Sequence, residues 1–344
     1  MDVLIIYQFC SFGGVERVVL NRAKAFKKFN RDINISVGYL HDIGALGSFQ
    51  AYIQAHQLSD RLDAFLVDEQ SLTKLDRYDY VLVIDTPQVF DKITTAENIY
   101  IECHTPYIEN RQYLQDLPDH IRGIIVPSAS FRDTIIKEFP DLPPVFVLPN
   151  PVPDEFFDTP FNLSEKIFSK RPLTYFGRRD DLKNYAEAVK IFELFNIDED
   201  IMLIVIGGGP SQPSLIQSVA DIRMLNKALL RDRIDFDKAP YLINLVKQHR
   251  GIFISPSKGE SFGLSAAEFM CGGVPVILSD IPEHRALVDD DERFLYPLGE
   301  ITTAKKRIED ILRHWEAYCV DIQNYAQKFK GNTFLEAWDN FILQ

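Results

Sequence analysis

The segment Ser255–Ser279 reads SPSKGESFGLSAAEFMCGGVPVILS. The run before it, Gly251–Ile254, is short, aromatic and β-branched, the composition of a buried strand. Pro256, Gly259 and Gly263 interrupt it, so a helix is expected to start near Phe262. Gly272-Gly273 should end that helix ahead of a second apolar strand, Val274–Leu278. The result is a strand–loop–helix–strand unit. The first turn of such a helix leaves backbone N–H groups without intrahelical partners, and with the helix dipole they favour an anion such as a phosphate. Gly263 lets that backbone approach a ligand closely.

Two acids stand in this unit, Glu260 in the loop and Glu268 about two turns along the helix. They could be solvated helix acids, with the glycines serving only as caps. Against that, Glu268 is surrounded by Ala266, Ala267, Phe269, Met270 and Cys271, a buried-helix composition in which a carboxylate needs a partner or a ligand. A nucleotide-sugar has hydroxyls at both ends and anions in the middle, and two carboxylates flanking a row of N–H donors suit that shape. The segment resembles the E-x7-E signature of family 4 glycosyltransferases, retaining enzymes of GT-B fold. Their usual form is E-G-F-G-L-x-x-x-E-A-M-A-x-G-x-P-V-I, and this chain has E-S-F-G-L-S-A-A-E-F-M-C-G-G-V-P-V-I.

The length of 344 residues is enough for two domains, and 46% hydrophobic with 12% aromatic residues supports sizeable cores. No run reaches the ~18 apolar residues of a membrane span. The stretch Met1–Ile6 reads as a strand rather than a signal peptide. Cys10, Cys103, Cys271 and Cys319 lack CxxC spacing, which fits a reduced cytoplasm and argues against a disulfide framework or zinc. A net charge of −13 speaks against a general nucleic-acid binder.

Asp2–Tyr7 reads as the first strand, followed by Phe12-Gly13-Gly14-Val15-Glu16-Arg17 and a helix to about Phe29. The paired glycines are either simple turn residues or a place where backbone meets phosphates or an acceptor. The family's similar G-G-x-E-R implies the second. The helix region 15–31 is basic through Arg17, Arg22, Lys24, Lys27, Lys28 and Arg31. It is either a solvated outer face or a peripheral contact with an anionic membrane. Tyr78–Ile84 and Asn98–Glu102 read as strands, the second ending in Cys103-His104-Thr105-Pro106. Ligands of open α/β sheets bind at strand C-termini. The resemblance implies that His104 faces the donor sugar, and Tyr107 and Arg111 in the segment after it are expected to line the acceptor side. Pro149-Asn150-Pro151-Val152-Pro153 ends the first half.

The second half restarts with a strand at Leu173–Phe176 and the loop Gly177-Arg178-Arg179-Asp180-Asp181-Leu182-Lys183. Arg178 and Lys183 resemble the family's G-R…K pair. A diphosphate held without metal needs fixed cations; the plain alternative is loop cations paired with Asp180 and Asp181. Ile201–Ile206 is a strand leading into Gly207-Gly208-Gly209-Pro210, which in the family lies beside the nucleotide. Ile234–Asp237 reads as a strand end whose D-x-D spelling is a chance pattern. Lys305–Ala326 reads as one helix and Phe334–Phe341 as a final amphipathic one.

The resemblance implies an α/β chain of GT-B type, with two Rossmann-like domains whose parallel sheets face a central cleft. Residues 1–152 would be the acceptor-side domain, with a C-terminal helix in 330–344 packing back on it, and 153–329 the nucleotide-sugar domain. The implied activity is retaining transfer of a sugar from a nucleoside-diphosphate sugar, UDP ahead of GDP, to a glycan, lipid-linked or protein acceptor, with no cofactor or metal. Cell-surface glycan assembly in the cytoplasm, at the inner face of the membrane, fits such an activity. Glu268 would hold ribose, Glu260 the donor sugar, and Arg178 and Lys183 the departing diphosphate. His104 completes the catalytic set. Gly13, Gly14, Gly208, Phe262, Gly263 and Leu264 would supply backbone to the donor. The other class of reading is a GT-B chain without catalysis that binds or stabilises a partner glycosyltransferase.

Overall fold

The computed structural model describes residues 1–344 except 12, 69–71, 73, 160–166, 197, 209–226 and 344. Phe12, Gly209 and Pro210 of the motifs above lie outside the described residues. The chain divides into two compact units, Met1–Pro153 with Lys330–Gln344, and Asp154–Phe329.

In the first unit the described residues form a parallel sheet of β1 (Asp2–Cys10), β2 (Asn34–Asp42), β3 (Leu62–Leu66), β4 (Tyr80–Ile84), β5 (Ile99–Glu102), β6 (Ile121–Val126) and β7 (Val145–Val147). Their order is β3-β2-β1-β4-β5-β6-β7. Parallel strands are covered on both faces, which is why they read as unbroken apolar runs. Val81, Val83, Ile99, Ile101, Ile124 and Val126 line one face, against Phe131 and Ile135 of a later helix. The other face takes α1 (Gly14–Lys28), which buries Val18, Val19 and Phe26. Helix α2 (Leu46–Ala55) sets Phe49 edge-on to Tyr39 of β2, 6.2 Å between centroids. Helix α3 (Ala129–Glu138) opens on Ser128, whose Oγ accepts the Phe131 N–H.

The second unit repeats the order. β8 (Arg171–Phe176), β9 (Ile201–Ile206), β10 (Ala228–Arg231), β11 (Ile252–Ser255), β12 (Val276–Ser279) and β13 (Leu295–Tyr296) lie as β10-β9-β8-β11-β12-β13, parallel throughout. Both sheets thus reverse strand order beside their first strand, at β1/β4 and at β8/β11. That reversal opens a crevice at the strand C-termini and is where doubly wound sheets bind ligands.

Around the second sheet run α4 (Tyr185–Glu193), α5 (Ala239–Gln248), α6 (Leu264–Cys271), α7 (Pro282–Leu287), α8 (Ile301–Arg313) and α9 (Trp315–Tyr325). Phe269 of α6 stacks on Phe253 of β11, 4.4 Å between centroids. The helix read from 305 to 326 is two helices. Apolar spacing runs on through Ala304, Ile308, Ile311, Trp315 and Tyr318, so the sequence carries no sign of the break. It falls at His314, a non-helical residue, beyond which the Trp315 indole donates to the Gly251 carbonyl at 2.9 Å. The D-x-D stretch is no strand end either. β10 stops at Arg231, and Phe236–Lys238 is a single 3-10 turn.

The last helix, α10 (Gly331–Ile342), belongs to the first unit. Phe334, Leu335, Trp338 and Phe341 form its buried stripe. Trp338 meets Phe26 of α1 at 5.2 Å, and Phe341 sits between Tyr100 at 4.9 Å and Phe146 at 5.5 Å.

Candidate active site

At the β8/β11 reversal two loops are stitched together by backbone. The Lys258 N–H donates to the Leu182 carbonyl at 2.8 Å. Asn184, held at φ +51° at the N-cap of α4, donates its side-chain amide to the Pro256 carbonyl at 3.2 Å. Asp180 Oδ1 accepts the Lys183 N–H at 2.8 Å. These bonds aim Lys183 at the facing loop, where its Nζ donates to Glu260 Oε2 at 2.6 Å. Ser257 Oγ donates to the other oxygen, Oε1, at 2.8 Å. The Glu260 side chain is 11% exposed. Burial alone would raise its carboxyl, but Lys183, His284 and Ser257 outweigh burial and hold it below the usual glutamate range.

Three residues on, Gly263 caps α6 at φ +87°, a left-handed conformation that a side chain would strain. The first amide closed within the helix is Ala267 N–H to Gly263 O, 3.0 Å. The amides of Leu264, Ser265 and Ala266 precede that bond and have no intrahelical acceptor, so the helix presents an anion-favouring end. Phe262 contributes only backbone here, since its ring is buried against Phe329 at 5.7 Å. Glu268, on the second turn of α6, is fully buried. Neither acid is the solvated surface group of the plain reading, and they differ in kind: Glu260 is reachable, whereas solvent does not touch Glu268.

The two arginines of the β8 loop part company. Arg178 is the outward one, its side chain 61% exposed and its Nε 3.0 Å from Asp180 Oδ2. Such a pair is weak in water and exchanges readily for a stronger anion. Arg179 is buried, and its guanidinium donates to Asp232 at 3.0 Å while its amide donates to the Gly208 carbonyl at 3.2 Å. Gly207, at φ +142°, packs so closely on this loop that a Cβ would fall 1.8 Å from the Gly177 carbonyl oxygen.

In the first unit, Glu16 is buried at the start of α1. Its carboxylate accepts the Gly13 N–H at 2.6 Å and the Ser11 N–H at 3.2 Å. The Gly13 amide is therefore spent on Glu16, while Gly14 is exposed. Beyond β5, His104 Nε2 lies 2.7 Å from Glu102 Oε1, and Arg22 of α1 binds both oxygens of Glu102. Burial would raise Glu102, but Arg22 and His104 hold it far below the usual range. The His104 N–H also donates to Asp85 Oδ2 at 3.0 Å, and Tyr113 donates to Oδ1 at 2.8 Å. Burial pushes the Asp85 carboxyl up. His104 is thus pinned at ring and backbone at the C-terminal rim of the sheet.

One expectation needs correction. Arg111 does not line an acceptor surface; it is buried and forms a two-pronged pair with Glu138, 2.6 and 2.8 Å. In the basic region 15–31 one arginine turns inward and the paired ones stay at the surface. Arg22 is inside with Glu102, Lys27 pairs with Asp60 at 2.9 Å, and Arg31 pairs with Asp339. No helix of the described residues is long and apolar enough to cross a membrane. Sequence reading also missed Ser257, His284, Glu102 and Asp85. Ser257 and His284 stood inside or beside the quoted segment as ordinary loop and helix residues. Glu102 acquires meaning only through Arg22, 80 residues away.

Comparison with known proteins bears on the second unit first. The family model described as "Glycosyl transferases group 1" matches residues 162–329, just under half of the chain. The O-antigen chain mannosyltransferase RfbU of Salmonella typhimurium is 25% identical over 196 residues, which cover 55% of this chain and 52% of that protein. The D-inositol 3-phosphate glycosyltransferase of Xylanimonas cellulosilytica is 29% identical over 122 residues, 35% of this chain and 28% of that one. The chain thus spans about half or less of these curated relatives. The crystal structure of Anabaena Alr3699/HepE in complex with UDP and glucose aligns with a TM-score of 0.78, covering 99% of both chains at 16% identity. That likeness is one of fold, and the chain has the GT-B fold of two Rossmann-like units. On that fold, residues 162–329, which carry Arg178, Lys183, Glu260 and Glu268, match the group 1 glycosyl transferases.

Proposed function

We propose that the chain is a retaining glycosyltransferase, moving a sugar from a nucleoside-diphosphate sugar to a glycan, lipid-linked or protein acceptor without a metal. The observation that carries this reading is the Lys183–Glu260–Ser257 cluster at the strand-order reversal, beside the open first turn of α6. A departing diphosphate needs positive charge fixed before it leaves, and such preorganised electrostatics are the largest contribution to be expected. Lys183 and the outward Arg178 supply it, helped by the amides of Gly263 and Leu264. Gly208 brings backbone close to the donor.

Glu260 is ionised and held through both oxygens. Each oxygen keeps a further lone pair, so the group is suited to accept sugar hydroxyls. Its ties to Lys183 and Ser257 reduce its nucleophilicity, which favours front-face transfer over a covalent intermediate. In that reaction the C1–O bond to the diphosphate breaks and the acceptor oxygen bonds C1 on the same face. The acceptor proton passes to the leaving phosphate oxygen. Glu268, fully buried on the second turn of α6, would hold the ribose. The first unit would serve the acceptor. UDP stands ahead of GDP because the fold's solved neighbours include UDP and UDP-glucose complexes, whereas the mannosyl relative keeps GDP-mannose in the test.

The test is a thermal-shift series over UDP, GDP, UDP-glucose and GDP-mannose with chelator present. A ligand that binds only the native state at 100 times its Kd adds ~2.7 kcal/mol. At least one of the four should raise the melting temperature, and the shift should vanish in Lys183→Ala. No shift with any of them contradicts the reading.

A further inference from the structure

His284 lies in α7, just after β12, and is fully buried. Its Nδ1 is 2.9 Å from the Ser279 carbonyl oxygen and 3.0 Å from Ser279 Oγ. The Ser279 hydroxyl hydrogen is already donated to the Ser257 carbonyl. Both Ser279 oxygens are therefore acceptors toward the ring, and Nδ1 must carry the ring hydrogen. In the neutral imidazole, Nε2 is then a bare lone pair. Burial favours that neutral form, lowering the ring below its ordinary value, with Lys183 acting in the same sense and Glu260 against it.

Nε2 has no hydrogen-bond partner among the described residues, although it is buried. An unsatisfied buried polar atom costs ~1–3 kcal/mol. The edge of the ring that carries it lies against the cap of α6. A Cβ on Gly263 would stand 3.8 Å from His284 Cδ2, the atom bonded to Nε2. Glycine at 263 adds no side chain beside that edge, and Glu260 and Lys183 are the charges that act on the ring. A lone pair without a hydrogen accepts only from a donor. Ionised phosphate and carboxylate oxygens have none to offer, whereas a hydroxyl does.

We propose that His284 Nε2 accepts a hydrogen bond from a hydroxyl of the sugar carried by the donor, sharing that sugar with Glu260. This rests on the nucleotide-sugar reading above. It makes His284 a donor-recognising residue that acts on the sugar and not on the nucleoside diphosphate.

The test is calorimetric titration of the full chain with UDP and with UDP-glucose, for wild type, His284→Phe and His284→Gln. His284→Phe should leave UDP affinity within about twofold while UDP-glucose affinity falls about tenfold, the worth of one hydrogen bond left unmade. His284→Gln, whose carbonyl oxygen can accept in place of Nε2, should recover most of that loss. Equal loss of UDP and UDP-glucose, or no loss of either, overturns the proposal. If His284→Phe does not fold, His284→Gln decides, because losing both ligands together there marks a structural role. Wild type that binds UDP-glucose while His284→Phe matches it overturns this inference alone. Wild type that binds neither UDP, UDP-glucose nor GDP-mannose overturns the parent reading and this inference with it.

Discussion

Lys183 Nζ stands 2.6 Å from Glu260 Oε2, across 77 residues of chain. One belongs to the loop after β8 and the other to the loop after β11, the two strands between which the sheet reverses its order. The pair joins a cation suited to a leaving diphosphate with a carboxylate suited to sugar hydroxyls.

Removing either partner alone has two separable consequences. Lys183→Ala should lower turnover of the cognate donor ~10²–10³-fold, the usual cost of one preorganised electrostatic group. It should also cost about 1–3 kcal/mol of stability, because a largely buried Glu260 loses its partner. Adding Glu260→Gln should restore most of the stability and none of the turnover. A double-mutant cycle combining urea unfolding with initial rates separates the two effects.

Acid should weaken the second unit in two stages. His284 is lowered below the ordinary imidazole value, so the unfolded chain takes up a proton first. Its contribution is complete above about pH 6.5 and is lost as pH falls below it. Glu260 is lowered below the ordinary carboxyl value, so its contribution holds above about pH 4.5 and fades only below that. Melting temperatures from pH 8 to pH 3.5 should show both stages, and His284→Gln should flatten the upper one alone.

Gly207→Ala should displace the loop after β8 without touching a charge. The added Cβ would fall 1.8 Å from the Gly177 carbonyl oxygen, at a φ of +142° that disfavours any side chain. The loop that carries Arg178 has to move. Nucleotide affinity should fall at least about tenfold, comparable to losing one good hydrogen bond or more. Titration with UDP checks it.

Trp338→Ala should destabilise the first unit by ~3–5 kcal/mol, the range for deleting a large buried aromatic. The chain has two tryptophans, Trp315 in the second unit and Trp338 in the first, so in this variant Trp315 fluorescence reports the second unit alone. Far-ultraviolet dichroism should then show an early transition in urea that Trp315 does not follow.

Much of the second unit was legible because its signals are local. Gly263, Glu260 and the Gly272-Gly273 stop lie within one short segment, and their turn and helix chemistry follows from spacing. Apolar runs announced the central strands for the same reason. Partners distant in sequence were not legible. Helical spacing sets Arg22 of α1 among Val18, Val19 and Phe26, away from Arg17 and Lys24, but its partner Glu102 lies 80 residues on and no local pattern names it. The break at His314 was hidden because the apolar period continues across it. Short edge strands such as β13, two residues long, carry too little pattern to be seen.

The most direct measurement is proton NMR of UDP-glucose and GDP-mannose incubated with the full chain, in chelator, with water as the acceptor of last resort. One donor should be consumed, with the sugar appearing first in the anomeric configuration it had in the donor, and Lys183→Ala should abolish that consumption while remaining folded. Release of the opposite anomer, or equal consumption by wild type and Lys183→Ala, would contradict the assignment of Lys183 and Glu260 as the centre of a retaining transferase.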